Sequence, residues 1–171
     1  MSDHVRERES SGRSLSFREI GPKDFEVLAR FLEENNVSSI IRTFNPFPMN
    51  SETAKRIACL PRRDRYYGGF LNDRFIGLSM LRGWDEGYAV PSFGIMVDHR
   101  FHGMGTGGRM LDYTIDEAVR IGCHRVRLSV FASNRRAVRL YLSKGFVEES
   151  RESVLLSNEP DERIIMFKEI S

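Results

Sequence analysis

The sequence predicts a mixed α/β fold with a mostly antiparallel central sheet, one β-α-β crossover and flanking helices. Two observations predict it. Two apolar runs flank Asn72-Asp73, a pair typical of the two-residue turn that joins antiparallel strands. Further along, a strand, a glycine-rich turn, a helix and another strand follow one another, and this order indicates a crossover between parallel strands.

The first half of the chain has the signals of strands and two helices. Apolar residues recur at helical spacing from Pro22 to about Asn35, and Ser51 is a good N-cap for a second helix. Strand-forming segments occupy residues 15–20, 65–71, 74–81 and 88–97. Pro91 interrupts the last of them, and because proline cannot donate to a ladder it marks an edge, a bulge or a splayed pair.

The second half alternates helices and strands. A helix is predicted over 109–121 and ends at Gly122, and a strand follows at 126–131. Asn134 then caps a helix that ends at Gly145. Two strands follow: one begins at residue 146, and the last covers residues 163–170.

Composition limits the classes of protein to which the chain can belong. The 171 residues suffice for one domain, which we assign to residues 14–171, and the polar residues 1–13 are expected to be a disordered tail. With 26 basic and 24 acidic residues, a net charge of +2 gives no reason to expect nucleic-acid binding. The sequence lacks a long apolar stretch and a signal peptide, so we expect a cytoplasmic protein that does not bind membranes.

The most informative segment runs from His102 to Gly108 and places four glycines between an apolar strand and a helix. Glycine permits a tight turn and a close approach to the backbone. A helix N-terminus leaves N–H groups without partners and carries partial positive charge. We therefore expect a phosphate or pyrophosphate to bind here. The expected binding residues are Gly103, Gly105, Thr106, Gly107 and Gly108.

Three kinds of phosphate ligand are considered for this turn. A P-loop needs lysine and a hydroxyl residue after its last glycine, and Arg109-Met110 supplies neither. Residues 103–108 satisfy the dinucleotide pattern G-x-G-x-x-G, which also expects an acidic residue about 20 positions later. The next strand instead ends in Val130-Phe131. Coenzyme A is the third ligand.

Two motifs, correctly ordered, resemble those of the GNAT superfamily of acyl-CoA-dependent N-acyltransferases. The phosphate signature of that family is Gln/Arg-x-x-Gly-x-Gly/Ala after a strand ending in valine, and it is similar to His102 to Gly107 after Val97. The second motif has an asparagine, an alanine, leucine-tyrosine and lysine-glycine-phenylalanine, and it is similar to Asn134 to Phe146. His102 replaces the usual Gln or Arg, which weakens a side-chain contact to pyrophosphate but leaves the backbone N–H groups available.

The resemblance implies an N-acetyltransferase that moves an acetyl group from acetyl-CoA, its co-substrate, directly to a primary amine, without a metal ion. Pantetheine would lie beside the strand ending at Val97, so that the N–H of Met96 or Val97 stabilises the oxyanion. Tyr141 would be the acid for the departing thiolate. His102 and Asn134 complete the coenzyme site, and Asn134 also caps a helix.

The base is less directly indicated. Residues 88–97 contain no carboxylate, so Glu86, just before them, is the candidate for the general base. Asp85 fits better as part of a polar turn. A water relay that involves Ser92 is the alternative. Any of four arginines is a candidate for the adenosine 3′-phosphate, although each one fits a solvated surface residue as well: Arg100, Arg109, Arg135 and Arg139.

The acceptor amine is expected against the early helices and the turn from Trp84 to Tyr88. A cluster of aromatic and polar residues there could line its pocket or could equally be core beneath a loop: Phe44, Asn45, Phe47 and Trp84. The modest net charge favours a small-molecule amine as the partner. A protein N-terminus or lysine is the next acceptor, and a coenzyme A-binding module without catalysis is the alternative from another class. A homodimer remains open.

Overall fold

The computed structural model describes residues 5–8 and 13–171, and the strands in those residues form one eight-stranded sheet. The strands are β1 Val5–Arg8, β2 Ser14–Glu19, β3 Arg65–Leu71, β4 Arg74–Arg82, β5 Ser92–Val97, β6 Arg125–Phe131, β7 Val147–Leu156 and β8 Glu159–Glu169. Their order across the sheet is β1-β2-β3-β4-β5-β6-β8-β7. All neighbours are antiparallel except β5 and β6, which are parallel. The predicted fold class is confirmed.

Helices cover both faces of the sheet. They are α1 Phe25–Glu34, α2 Ser38–Ile41, α3 Ser51–Cys59, α4 Thr106–Arg120 and α5 Arg135–Ser143. Leu78 and Met80 of β4 pack in one hydrophobic cluster with α1 and α3. Ser79, between them, contacts Thr114 of α4 through a buried 2.7 Å hydrogen bond between the two hydroxyls. Because neighbouring side chains on a strand point to opposite faces, α4 lies on the face opposite α1 and α3.

Two glycines let α4 pack close to the sheet. A Cβ on Gly69 of β3 would lie 2.9 Å from the sulfur of Met110, and one on Gly77 of β4 would lie closer still. Met110 is almost fully buried at this contact. The absence of side chains at the two glycines therefore fixes the depth of α4, and with it the position of the N-terminus of that helix.

The turn residues act as the sequence predicts. Asn72 and Asp73 both have positive φ, 47° and 66°, as a type I′ hairpin turn requires. Gly122 and Gly145 follow α4 and α5 with φ of +87° and +82°, which is how a glycine commonly ends a helix. A further turn of this kind, Ser157-Asn158, joins β7 and β8, so the last strand begins earlier than predicted.

Some element boundaries differ from those predicted. The first helix begins as a 3-10 turn, Pro22–Asp24, because the Asp24 carboxylate accepts a 2.9 Å hydrogen bond from the Gly21 N–H. Asn50, rather than Ser51, caps α3 and accepts from the N–H of Thr53 at 2.9 Å. The helix α2 was not predicted, because four residues are too few to show a helical period. The strand expected from residue 88 begins at residue 92.

The predicted disordered tail falls partly on described residues. The structure has the strand β1 at Val5–Arg8, where it pairs antiparallel with β2 through main-chain hydrogen bonds, which need no apolar side chains. Residues 1–4 and 9–12 of that prediction lie outside the described residues. In the part of the chain that the structure describes, we find no helix with the length and apolarity needed to cross a membrane.

Candidate active site

The parallel strands β5 and β6 separate soon after they begin. Only one residue pair, Ser92 with Arg127, is in register between them, and the N–H of Arg127 donates to the carbonyl of Pro91 at 3.0 Å. Beyond that point a cleft of about 1770 Å³ opens, and both strands line it. Of the arrangements that Pro91 allows, the structure therefore has the splayed pair.

The ladder between β4 and β5 determines which amides of β5 face the cleft. The N–H of Asp98, just after β5, donates to the carbonyl of Ile76 at 2.8 Å. Because the N–H groups of an antiparallel strand alternate in direction, the N–H of Met96 points to its β4 neighbour Leu78. The N–H groups of Ile95 and Val97 point into the cleft. Of the two amides expected to stabilise the oxyanion, only that of Val97 points into the cleft.

The side chain of His102 supports this orientation. Its Nε2 atom lies 2.9 Å from the carbonyl oxygen of Val97. A carbonyl can only accept, so Nε2 carries the proton and donates it. The N–H and C=O of one strand residue point to the same side, and His102 itself lines the cleft. The residue that departs from the family signature thus holds the backbone of the strand end.

The glycine run forms an open turn at the N-terminus of α4. Gly103 and Gly105 have φ of +83° and +74°, and a Cβ on either would meet no atom within 4 Å. Gly105 is the N-cap residue, and no side chain caps the helix. The first intrahelical bond joins the N–H of Arg109 to the carbonyl of Gly105 at 3.2 Å. The N–H groups of Thr106, Gly107 and Gly108 are therefore available to an anion.

The arginines expected near the coenzyme differ in their placement. Arg100 is bound to the carboxylates of Asp98 and Glu34. Arg100, Arg109 and Arg135 do not line the cleft, whereas Arg139 does. Arg136, one turn before Arg139 on α5, also lines it. Sequence reasoning missed Arg136, although the spacing of three residues from Arg139 on a helix that opens with a motif residue was a usable signal.

Tyr141 lies on α5 at the side of the cleft. Its side chain is buried and packs at about right angles to the ring of Phe93, with 6.2 Å between ring centroids. Burial raises the pKa of the Tyr141 hydroxyl above its ordinary value, so the hydroxyl keeps its proton at neutral pH. Asn134, at the start of the same helix, accepts from the N–H of Ala137 at 3.3 Å and also lines the cleft.

The two candidate carboxylates have different surroundings. Asp85 accepts a 2.7 Å hydrogen bond from the N–H of Arg63 and does not line the cleft, so it stabilises a turn. Glu86 lines the cleft, half exposed, with Oε1 3.4 Å from an Nη2 of Arg82. Ser92 lines the cleft as well.

The expected acceptor cluster is divided. Phe44 and Asn45 line the cleft, whereas Phe47 is buried in the hydrophobic cluster that contains α1 and α3. Trp84 packs against a second hydrophobic cluster, which contains residues of β6 and β8. Tyr88, which is 67% exposed and belongs to the turn expected beside the acceptor, lines the cleft as well. Among residues 13–171, no group of three or more His, Cys, Asp or Glu side chains is placed to hold a metal ion.

Comparisons with known proteins agree with this geometry. The model of the acetyltransferase (GNAT) family matches residues 31–146, and the chain belongs to that family. It is therefore an acyltransferase, and acetyl-CoA is its co-substrate. Membership in an acetyltransferase family argues against the alternative of a coenzyme-binding module without catalysis.

Individual relatives differ in the acceptors that they use. The chain is 28% identical over 123 residues to the ribosomal protein bS18-alanine N-acetyltransferase of Escherichia coli strain K12, covering 67% of this chain and 82% of the relative. The solved ribosomal-protein-S18-alanine N-acetyltransferase of Escherichia coli has a TM-score of 0.70 at 22% identity, covering 92% and 94% of the two chains. Spermidine N-acetyltransferase from Vibrio cholerae, solved with CoA and spermine, has a TM-score of 0.75 at 20% identity, and the match covers 91% of this chain and 95% of that one.

Proposed function

We propose that this acetyltransferase transfers the acetyl group of acetyl-CoA directly to the primary amine of a small molecule. One observation carries the proposal: the splayed strands β5 and β6 place cleft-facing amides beside the uncapped N-terminus of α4. A diphosphate at Gly105 to Gly108 and a thioester beside Val97 would occupy one continuous cleft. The acceptor end belongs to the same cleft, so the amine and the thioester can meet in one site, which is what direct transfer needs.

Three groups serve the chemistry. The amine nitrogen attacks the thioester carbonyl, a C–N bond forms, and the N–H of Val97 stabilises the negative charge that develops on oxygen. The C–S bond breaks, and Tyr141, which keeps its proton, donates it to the departing thiolate. Glu86 lies near Arg82, which pairs with Ser92 at the start of β5, whereas Val97 ends that strand. The proton that the amine loses therefore passes to the carboxylate of Glu86 through a chain of water molecules. Exchange with water then removes the proton from Glu86 and restores the one that Tyr141 gave, so that the net proton transfer is from the amine nitrogen to the sulfur.

The acceptor end supports a small substrate. Two segments face each other across it, residues 39–46 on one side and residues 156–157 at the β7–β8 turn on the other. Arg42 joins them through an ion pair of 3.4 Å with Glu159. This link bounds the acceptor end and limits the size of the group that enters with the amine.

A protein α-amine is the second candidate acceptor. The relative with 28% identity is a ribosomal-protein-alanine N-acetyltransferase, and the ion pair at the acceptor end is exposed on both sides. Exposed pairs contribute only about 0–1 kcal/mol, so a peptide N-terminus could displace this one. The cytoplasmic location, the small-molecule acceptor and a homodimer all stay predictions.

An acceptor panel tests the proposal. The wild-type protein and Tyr141→Phe are assayed for release of the CoA thiol with acetyl-CoA and three amines: tyramine, spermidine, and a hexapeptide that begins with alanine. Tyr141-dependent turnover of tyramine or spermidine, with little turnover of the peptide, supports the small-molecule acceptor. Turnover of the peptide alone replaces it with the second candidate.

A further inference from the structure

Arg82 is a half-buried cation in the cleft that none of the steps above uses. It is the last residue of β4 and lines the acceptor end, and its side chain is only 19% exposed. One Nη donates to the carbonyl of Pro46 at 3.2 Å, and the other contacts Glu86 Oε1 at 3.4 Å. The guanidinium also lies over the ring of Phe47, 5.5 Å from its centroid. Arg82 therefore touches both walls of the acceptor end.

The carboxylate of Asp64 fixes the base of this arrangement. Asp64 is almost fully buried, and its Oδ1 accepts from the N–H groups of Gly83, Trp84 and Asp85 at 2.9, 2.9 and 3.2 Å. Its Oδ2 lies 3.9 Å from the Nε of Arg82. The cation thus balances the buried carboxylate that holds the turn on which Glu86 stands.

The hydrogen bonding of Arg82 is incomplete. Its Nε is buried and has no hydrogen-bond partner among the described residues. A buried donor without a partner reduces stability. The side chain is held over the cleft at this cost, while its two Nη groups reach the opposed segments. One side chain thus joins the segment that contains Pro46 to the turn that carries Glu86.

We propose that Arg82 is a positioning residue for the acceptor. It holds the carboxylate of Glu86 on one wall and the segment Phe44 to Phe47 on the other at a fixed separation, so that the amine is held between them on its way to the thioester. The proposal rests on the proposed function in one respect, the role of Glu86. It predicts effects on the amine and none on binding of acetyl-CoA, whose seat at Gly105 lies at the other end of the cleft.

The first test does not depend on the identity of the acceptor. Hydrogen–deuterium exchange is compared between wild type and Arg82→Met, in which an apolar stem replaces the cation. We expect faster exchange in residues 44–47 and 83–87, and unchanged exchange in residues 103–108. Arg65→Met is the matched control, because Arg65 on β3 forms an exposed ion pair with Glu19 at 2.9 Å and does not line the cleft. Unchanged exchange in both acceptor segments would overturn the proposal.

The second test separates positioning from a merely structural role. The probes are tyramine, spermidine and the alanine hexapeptide. Arg82→Met should raise the KM of each amine that is used by about tenfold, because the walls that hold the amine lose a charged hydrogen bond that fixes them. The Kd of acetyl-CoA should change less than twofold. Arg82→Lys keeps the charge but cannot contact both walls, so its KM for the amine should lie between the values of the wild type and Arg82→Met. An equal rise for both substrates would contradict the proposal.

A double-mutant cycle tests whether Arg82 acts through Glu86. If it does, Arg82→Met should lower kcat in the wild-type background and have little further effect in Glu86→Gln. Additive effects would overturn this link. If the wild-type protein acetylates none of the three amines, the proposed acceptor class fails, while the exchange experiment still decides whether Arg82 holds the two segments.

Discussion

The substitution Gly105→Val tests the coenzyme seat most sharply, because the chain contains a matched control. Gly105 begins α4 with φ of +74°, and Gly122 follows the same helix with φ of +87°. A Cβ at either position would meet no atom within 4 Å. The two glycines lie at opposite ends of a 15-residue helix, which is about 22 Å long. Only Gly105 lines the cleft.

The effect of each substitution follows from this geometry. A residue with a Cβ in the left-handed region costs about 1–2 kcal/mol, so both variants should melt about 2–8 °C below wild type. Only valine at position 105 also places methyl groups in the space in front of the amides of Gly107 and Gly108. Loss of even one hydrogen bond to a charged phosphate costs about 1.5–3 kcal/mol, which weakens binding of acetyl-CoA at least about tenfold.

Calorimetric titration with acetyl-CoA, together with thermal unfolding, measures both quantities. We expect both variants to lose thermal stability. Gly122→Val should keep the wild-type affinity for acetyl-CoA, whereas Gly105→Val should bind acetyl-CoA more weakly. The placement of the diphosphate is refuted if Gly105→Val binds as wild type does, or if the two variants lose affinity equally.

Three further changes have distinct expected outcomes. Tyr141→Phe should lower kcat about a hundredfold with little change in the KM of acetyl-CoA. Tyr113 of α4 does not line the cleft, so the control Tyr113→Phe should leave kcat unchanged; equal kinetics of both variants would remove the acid role of Tyr141. Asp64→Ala leaves three turn amides without their acceptor and should lower the free energy of unfolding, measured in urea, by about 3 kcal/mol. A loss below about 1 kcal/mol, roughly what a surface substitution causes, would contradict this role of Asp64. Burial alone would raise the pKa of Asp98, but hydrogen bonds from the side chain and backbone of Arg100 outweigh burial and lower that pKa below 3.8. Folding therefore favours the carboxylate, whose contribution is complete above about pH 4 and is lost as the pH falls through the lower folded pKa, so Asp98→Asn should flatten the acid side of the stability curve.

Local signals explain how much of the fold was predictable. Asn72-Asp73 and Gly122 specify backbone conformations that few other residues adopt without strain, so the turn and the helix end follow from residue type. The glycine run predicted the open turn at the N-terminus of α4 for the same reason. Pro91 correctly indicated a disturbed strand pair, but only the register, with one pair between β5 and β6, shows that the strands splay.

The remaining features depend on packing between distant segments. Arg136 and Arg139 line the cleft while Arg135 does not, because the docked face of α5 decides the direction of each side chain. The choice between the amides of Met96 and Val97 depends on the β4–β5 ladder. Arg82 contacts residues 46 and 86 and lies near residue 64, and no local pattern in the sequence joins those three positions.

An amide NMR titration of the wild-type protein with acetyl-CoA tests the central claim most directly. If the diphosphate binds at the N-terminus of α4 and the thioester arm lies along β5, the largest shifts should fall on the N–H groups of Thr106 to Gly108 and of Val97. The N–H of Met96, directed to β4, should shift much less. Shifts that leave residues 106–108 unmoved, or the same shifts produced by a nicotinamide dinucleotide in place of acetyl-CoA, would contradict the account.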